Sequence, residues 1–484
     1  MVPVWINRNL TLLLLGRWLR SLVQSCLVIL VPLYLAAIGF DAVRLGFLFT
    51  ASAAFSALLA ALTGVVADRA GRKVPLFALS LMAAAGSLAF ALSPNFVVLV
   101  TAAALGSVGR GGGAGSGGAW GPYFPAEQAL VAEQVSDRQR TAAFSLMSLV
   151  GVAGSALGAL LAATPPMLQQ LFALPPTAGY QLVFLLTALL GLMMALAVIP
   201  IEEERRCDER TTAKQKTRPA NPNPSGVPGE MSESPAGSPA RDLRRAAAKA
   251  DPLPGGEDAA GAARPTLQQP SRPASRFGLS YAGWRLASRF MLTSLTNGLA
   301  IGMLGPFVVY WFHRRYGVGP GQLGRLFFLI DLFSAVPYLL ATWIVGRLGA
   351  VRTVVLARTV AVMLLGALPA MPSFVGAGIL YAVRMVVNTV AIPVRQSYLM
   401  GVVAARERAT VAGLASFPLQ AGASVGPTMA GYLMQYFSLG LPLEIAALLQ
   451  GANAALYYLF FHAVKPPEEI DDPTPAAANP AAPR

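Results

Sequence analysis

A few ionisable side chains stand inside long apolar stretches of this sequence. Arg110 and Arg384 lie near mid-depth in two such stretches, and Asp331 is the only acid in a third. Charges in such runs are costly and tend to mark a transport path. The two arginines suit an anionic solute, and capping of backbone carbonyls in a kinked helix is the structural alternative. Asp331 is a candidate for reversible protonation, with a static pair to a buried arginine as its alternative.

Neutral polar residues accompany these charges. Asn388 lies one helical turn after Arg384, on the same predicted face. Two other apolar runs, 21–40 and 290–312, add four more polar groups: Gln24, Tyr34, Asn297 and Tyr310. We expect all of them to line a substrate site together with Arg110 and Arg384.

The elements that must position these residues are long helices. A helix needs about 20 apolar residues to cross a bilayer, and charge-poor runs of this length recur along the chain. They cover 21–40, 45–67, 74–109, 141–201, 290–312, 326–345, 359–383, 409–443 and 445–464, and breaks at Ser, Pro and Asn divide the longest. With 55% hydrophobic and 12% charged residues, the sequence predicts an all-α membrane protein with twelve transmembrane helices in two pseudo-symmetric six-helix bundles.

A change of composition divides the chain. We expect a first bundle over 1–201, a disordered cytoplasmic linker over 202–280, a second bundle over 281–465 and a disordered tail over 466–484. Lys and Arg collect in short loops on one side, which predicts an inner-membrane location with both termini cytoplasmic.

The two halves repeat each other. Residues from Leu45 to Ala57 recur in part from Leu323 to Ala335 at an offset of 278, and later matches follow at 268. At the second offset Glu127 and Arg395 are equivalent and opposite in charge. They are candidates for a pair across the halves that forms in one state, or for two solvated groups at the cytoplasmic mouth. Glu127 is also, with Asp331, a candidate proton-coupling residue.

The loop from Gly64 to Lys73 reads GVVADRAGRK and resembles the signature loop of the major facilitator superfamily. An acid followed seven residues later by arginine, Glu133 and Arg140, resembles that family's second signature. The resemblance implies a cytoplasmic ion-pair network that closes one side when the carrier faces outward. Its expected members are Asp68, Arg69, Gly71, Arg72, Glu133 and Arg140, with Arg395 as a gating residue. Ordinary loop charges are the alternative.

Glycines recur at four-residue spacing on two apolar runs. Gly154 and Gly158 in the fifth predicted helix, and Gly422 and Gly426 in the eleventh, permit close backbone approach. Gly426-Pro427 resembles a glycine-proline motif of antiporter members, which normally lies in the fifth helix, where this chain has Ala159.

Several functions are disfavoured by composition. The scattered basic residues do not form a nucleic-acid groove, two cysteines and two histidines are too few for a metal site, and no Gly-rich loop is present for ATP. We therefore expect no enzyme and no cofactor.

The leading prediction is a monomeric secondary active transporter that moves a small solute across the bilayer by alternating access, coupled to a proton or another ion, with efflux of drug-like compounds. Uptake of an organic anion or sugar-like solute is one alternative. A transporter-like membrane sensor that signals through the linker is another.

Overall fold

The computed structural model describes residues 7–106, 121–135, 137–201, 281–403 and 408–462, and these form helices with no strand among them. The first half contains α1 Arg8–Ala37, α2 Ala42–Ala70, α3 Lys73–Leu92, α4 Phe96–Gly106, α5 Tyr123–Gln134, α6 Asp137–Ala162, α7 Pro165–Phe172 and α8 Ala178–Val198. The second half contains α9 Tyr281–Leu304, α10 Phe307–Tyr316, α11 Pro320–Leu348, α12 Ala350–Ala367, α13 Phe374–Val402, α14 Arg408–Tyr436 and α15 Leu441–Phe461. The predicted linker and tail lie outside the described residues.

Helix ends follow local chemistry. The side chains of Asn7 and Asp41 accept hydrogen bonds from the first-turn N–H groups of α1 and α2, at 2.7 and 2.8 Å. Gly71 ends α2 and Gly349 ends α11, with φ of 93° and 77°. Both values fall in the region that favours glycine. The two glycines are 278 residues apart, so the repeat seen in the sequence extends to backbone conformation.

Nine helices or helix pairs in the described part of the chain are long and apolar enough to cross a membrane. Of the other predicted crossings, α4 has 11 described residues, and α11 and α14 have 29 each. The first crossing differs from its prediction. We predicted a start at Ser21, whereas α1 begins at Arg8 and includes Arg17 and Arg20, which are buried inside the bundle instead of lying in a loop.

The outward surfaces of the helices are apolar. Leu92, Val97, Met363 and Leu448 expose between 68 and 73% of their surface. A water-soluble protein rarely leaves so many large apolar side chains uncovered, whereas hydrocarbon solvates them at no cost. These faces therefore fit contact with lipid tails.

The apolar interior is divided unevenly between the two ends of the molecule. At the end where α1 and α9 finish, one cluster, here the shared cluster, joins both halves through residues such as Tyr34, Phe184, Phe307 and Trp311. At the end where α1 and α9 begin, each half has its own cluster, around Leu130 in the first and Phe290 in the second. Among the described residues, the halves thus share an apolar core at one end only.

Two helix pairs make the most extensive contacts between the halves, with smaller contacts of α1 with α10 and α11 and of α7 with α11. In the contact of α2 with α14, a Cβ on Gly46 would lie 2.6 Å from the carbonyl oxygen of Pro427, and the Thr428 hydroxyl donates to that of Thr50 at 2.7 Å. In the contact of α6 with α11, a Cβ on Gly324 would lie 2.5 Å from the carbonyl oxygen of Ala159. Backbone meets backbone at both contacts because glycine leaves room for it.

The glycine pairs found in the sequence act within each half. A Cβ on Gly154 would lie 2.5 Å from the carbonyl oxygen of Trp18 on α1, and Gly158 meets Leu22 on the same helix. Gly426 packs on α9 in the same manner, where its Cβ would lie 2.6 Å from the backbone nitrogen of Met303. The pairs therefore fix α6 on α1 and α14 on α9.

Replacing Gly426 with alanine should destabilise the protein, because the added methyl group meets backbone that must shift. We expect a loss of about 1–3 kcal/mol, measured as a lower midpoint of heat-induced loss of the monodisperse peak in detergent. Gly413→Ala on the same helix is the matched control, since no atom lies within 4 Å of its added Cβ. Equal midpoints for the two variants would contradict the packing argument.

Candidate functional site

Arg384 lies on α13 and is buried, with 4% of its surface exposed. Its Nη2 donates to Oε1 of Gln450 on α15 at 3.2 Å, and its guanidinium lies 5.6 Å from the ring centre of Tyr381. Asn388, one turn further along α13, is half-buried. The predicted placement of Arg384 in the interior is therefore correct, and its nearest polar partner is a neutral amide.

Arg358 on α12 is also buried and joins two further helices. Its Nη1 donates to Oδ1 of Asn297 on α9 at 2.8 Å and to Oδ1 of Asn453 on α15 at 2.7 Å. The Asn453 amide in turn donates to the backbone carbonyl of Thr293. Asn297, which we predicted to face the solute, is thus a ligand of Arg358.

Arg395 completes the group from the far end of α13. Its Nη2 donates to Oγ of Ser294 on α9 at 2.8 Å. The resulting arginine network, as we name it, consists of three arginines and four neutral partners: Arg358, Arg384, Arg395, Ser294, Asn297, Gln450 and Asn453.

The arginine network contains no acid. Within the described residues, no carboxylate lies within 4 Å of Arg358, Arg384 or Arg395. The Nε atoms of Arg358 and Arg384 are buried and donate to no acceptor in the described structure. Three positive charges therefore share an interior in which every described oxygen acceptor is neutral.

In the first half, a carboxylate compensates the charge of the buried arginines. Glu127 on α5 is 5% exposed and pairs with Arg17 at 3.1 Å and Arg20 at 2.7 Å, both on α1. The Arg20 guanidinium also lies 5.0 Å from the ring centre of Tyr123. Here one acid serves two arginines, and aromatic contact adds to the compensation.

In this structure the ion pairs of Glu127 are with Arg17 and Arg20 of its own half, and Arg395 bonds to Ser294. A pair between Glu127 and Arg395 in another state stays a prediction. Glu127 is not solvated at a cytoplasmic mouth, because α1 and α5 bury it. The sequence offered no reason to connect Glu127 with α1, since more than 100 residues separate them.

Asp331 lies at the seam between the halves. The side chain on α11 is fully buried, and its Oδ2 accepts a hydrogen bond from Oγ of Ser155 on α6 at 2.7 Å. This contact crosses from one half to the other beside the Gly324 contact. The described donor to this carboxyl is a neutral serine. A static pair between Asp331 and a buried arginine stays the alternative to reversible protonation.

The remaining predicted residues fall into three groups. Gln24 is buried in α1, and its Oε1 has no hydrogen-bond partner in the described structure. Tyr34 packs against Tyr180 and Phe184, and Tyr310 against Phe307, so both tyrosines belong to the shared cluster and not to a solute-facing wall. Arg110 lies outside the described residues.

The expected gating network is described only in part. Gly71 forms the turn after α2, and Arg72 is half-buried immediately before α3. The adjacent Lys73 donates to the backbone carbonyl of Ile199 at the end of α8, which ties this loop to the sixth crossing. The side chains of Asp68, Arg69, Glu133 and Arg140 lie outside what the structure describes, so the network stays a prediction.

Sequence reasoning missed six members of these clusters: Arg17, Arg20, Arg358, Ser294, Gln450 and Asn453. The three arginines stand at or beyond the edges of the charge-free runs, so a search for charges inside those runs did not reach them. Gln450 and Asn453 sit in the last run, and their three-residue spacing on one helix face was an available signal. No group of three metal-ligating side chains occurs in the part of the chain that is described.

Comparison with known proteins identifies the family. The model of the Major Facilitator Superfamily matches residues 13–391 and 290–484. The chain belongs to the major facilitator superfamily. The resemblance inferred from the signature loop is therefore confirmed. Members of the superfamily are transporters and not enzymes, as predicted.

The sequence relatives of this major facilitator are distant. An uncharacterized membrane protein of Saccharomyces cerevisiae is 23% identical over 436 residues, which cover 88% of each chain. The multidrug resistance protein MdtG of Salmonella arizonae is 32% identical over 165 residues, which cover 33% of this chain and 38% of MdtG.

A solved structure confirms the fold. The D-xylose-proton symporter superposes with a TM-score of 0.62 at 14% sequence identity, and the match covers 94% of this chain and 97% of the symporter. Such a likeness establishes the fold alone. The predicted fold class, twelve helices in two bundles, is therefore correct for this major facilitator.

Replacing Glu127 with glutamine should destabilise the first half, because Arg17 and Arg20 would stay buried without their acid. We expect a loss of about 3–5 kcal/mol, measured as a lower thermal midpoint in detergent. Glu444→Gln is the control, since this acid is exposed on α15. Adding Arg20→Gln to the Glu127 variant should recover part of the loss, and no recovery would argue against the ion pair.

Proposed function

We propose that this chain is a secondary active transporter that moves a small solute across the cytoplasmic membrane by alternating access. The observation that supports this most directly is the uneven joining of the two halves. They share one apolar cluster at one end and have separate clusters at the other. Two units joined at a single end can rock and expose an interior site to either side in turn.

The seam contacts are suited to such a motion. At α2 with α14 and at α6 with α11, the backbones of the two halves meet at glycines, and hydroxyl hydrogen bonds add to the contact. Each half keeps its own tight glycine packing, of α6 on α1 and of α14 on α9. The seams can therefore separate while each half moves as one body.

With both termini cytoplasmic, the described arrangement has its joined end toward the outside. The separately packed end, which carries the signature loop between α2 and α3, then faces the cytoplasm. The arginine network includes residues near mid-depth, since Ser294 lies in the middle of α9 and Arg384 in the first half of α13.

We propose proton coupling through Asp331. A fully buried carboxyl that bonds across the seam changes its contact with the other half when it gains or loses a proton. The named proton symport activity of the structural neighbour is consistent with such coupling in this fold.

For the direction of transport, we propose efflux of an organic compound. The partial match to a multidrug resistance protein and the Gly426-Pro427 motif in α14 support this proposal.

Purified protein in liposomes with an imposed pH gradient tests the proposed transport, with ethidium, xylose and benzoate as labelled solutes. Movement of none of the three under either gradient direction would count against a carrier of these classes.

Locking the joined end should stop transport. A disulfide between Thr50→Cys and Thr428→Cys, in a background without Cys26 and Cys207, would hold α2 against α14 where their hydroxyls now lie 2.7 Å apart. We expect an oxidant to abolish solute movement and a reductant to restore it, measured in the same liposomes. Each single cysteine variant is the control, and full transport by the cross-linked protein would contradict rocking at this seam.

Replacing Asp331 with asparagine should uncouple transport from protons, because the amide keeps a hydrogen bond to Ser155 but cannot titrate. We expect gradient-driven accumulation to fall at least about tenfold, while exchange of labelled for unlabelled solute persists. Ser155→Ala is the control, since it removes the donor and keeps the carboxyl. If the asparagine variant followed the proton gradient like the parent, Asp331 would have no coupling role.

A further inference from the structure

The arginine network of the second half points to the chemical class of the solute. We infer that it binds the anionic group, a carboxylate or phosphate, of the transported molecule, with Arg358 at its centre. This inference rests on the proposed transport function and adds a substrate class to it. It also brings in two residues, Arg358 and Arg395, that were not expected to contact solute.

The first step is charge compensation. A buried guanidinium loses its hydration, and a neutral amide oxygen replaces only part of what is lost. Arg358 and Arg384 expose 7 and 4% of their surface and have only neutral acceptors in the described structure. An anion is the group that would complete their compensation.

The second step is the contrast between the repeated halves. Glu127 contacts Arg17 of α1, and its repeat equivalent Arg395 contacts Ser294 of α9. The same positions that hold an acid between two arginines in the first half hold an arginine against a serine in the second. Arg395 thus stands at the position where the first half has the acid that neutralises its arginines. The negative charge for the second half must therefore come from a bound molecule.

The third step is the supply of donors. Guanidinium presents five N–H groups in a planar fork that matches carboxylate and phosphate oxygens. The described hydrogen bonds use only Nη atoms of the three arginines, and the Nε atoms of Arg358 and Arg384 stay without acceptors although they are buried. The oxygens of an anionic group would supply acceptors for these two donors.

The fourth step is position. Arg384 and Arg395 are eleven residues apart on α13, or about 16 Å along the helix, which is too far for one small anionic group to bridge. Arg358 lies between them. Its partner Asn453 is one turn from Gln450, the partner of Arg384, and its partner Asn297 is one turn from Ser294, the partner of Arg395. The anionic group therefore meets Arg358 together with one neighbour.

Binding to the purified full-length protein tests this inference. The probes are benzoate, its neutral analogue benzyl alcohol, and inorganic phosphate, each at fixed ionic strength in neutral detergent. We expect benzoate or phosphate, and not benzyl alcohol, to raise the thermal midpoint of the parent. In the Arg358→Gln and Arg384→Gln variants, the dissociation constant of whichever anion stabilises the parent should rise at least about tenfold.

Arg289→Gln is the matched control. This residue is a part-buried arginine of α9 whose Nη1 donates to the Phe460 carbonyl, away from the network. Its loss should leave anion binding as in the parent. Equal weakening in all three arginine variants would reduce the effect to net charge and overturn the site.

Gln450→Glu keeps the test decisive if the arginine variants fail to fold. It places a carboxylate at the position that now accepts from Arg384 at 3.2 Å. We expect this variant to melt at a higher temperature than the parent without added anion and to lose the response to benzoate and phosphate. An unchanged or lower midpoint would overturn the claim that the network needs an anion.

Lipid is the competing source of the anion. Phosphatidylglycerol added to the same protein distinguishes lipid from solute as the source. Stabilisation by this lipid alone, with no response to benzoate or phosphate, would overturn the assignment to solute.

Transport in liposomes separates this inference from the proposed function. Anion binding without movement of any solute would contradict the proposed transport function. Movement of ethidium or xylose without anion binding would contradict only the proposed anion site.

Discussion

A charge buried among apolar helices needs a partner, and this need organises the polar interior of the protein. In the first half the chain supplies the partner itself, since Glu127 lies between Arg17 and Arg20. In the second half Arg358 and Arg384 receive only amide oxygens. The cost of burying a guanidinium without an acid is several kcal/mol in principle, so one half is internally complete and the other is built to receive a charge.

Glycine determines which surfaces of the helices hold firmly and which can part. Within the halves, Gly158 and Gly426 bring whole backbones together over α1 and α9. Between the halves, Gly46 and Gly324 allow equally close contact, but only near the shared cluster. Close backbone contact rigidifies a pair of helices along its length, whereas contact at one end leaves a pivot.

The charged interior and the seam are physically connected. Asp331 bonds across the seam to Ser155, and Phe327, one turn earlier on α11, packs against Tyr381 with ring centres 6.1 Å apart. Tyr381 in turn lies against the guanidinium of Arg384. Two aromatic rings therefore connect Asp331 to Arg384, and the proposed coupling of solute to proton would use this path.

The sequence by itself determined the number and order of the helices, the repeat and the family. Apolar runs must leave water, and the equivalence of Gly71 and Gly349 is a local backbone property. The sequence also selected Arg384, Asn297, Asp331 and Glu127 as interior polar residues.

Only the tertiary structure decided the partners of these residues. Which face of a helix meets which neighbour depends on rotation and tilt set by packing over the whole bundle, and hydropathy along one chain does not contain that information. For this reason Glu127 pairs with α1, Arg358 joins Asn297, and Tyr34 turns into the apolar core.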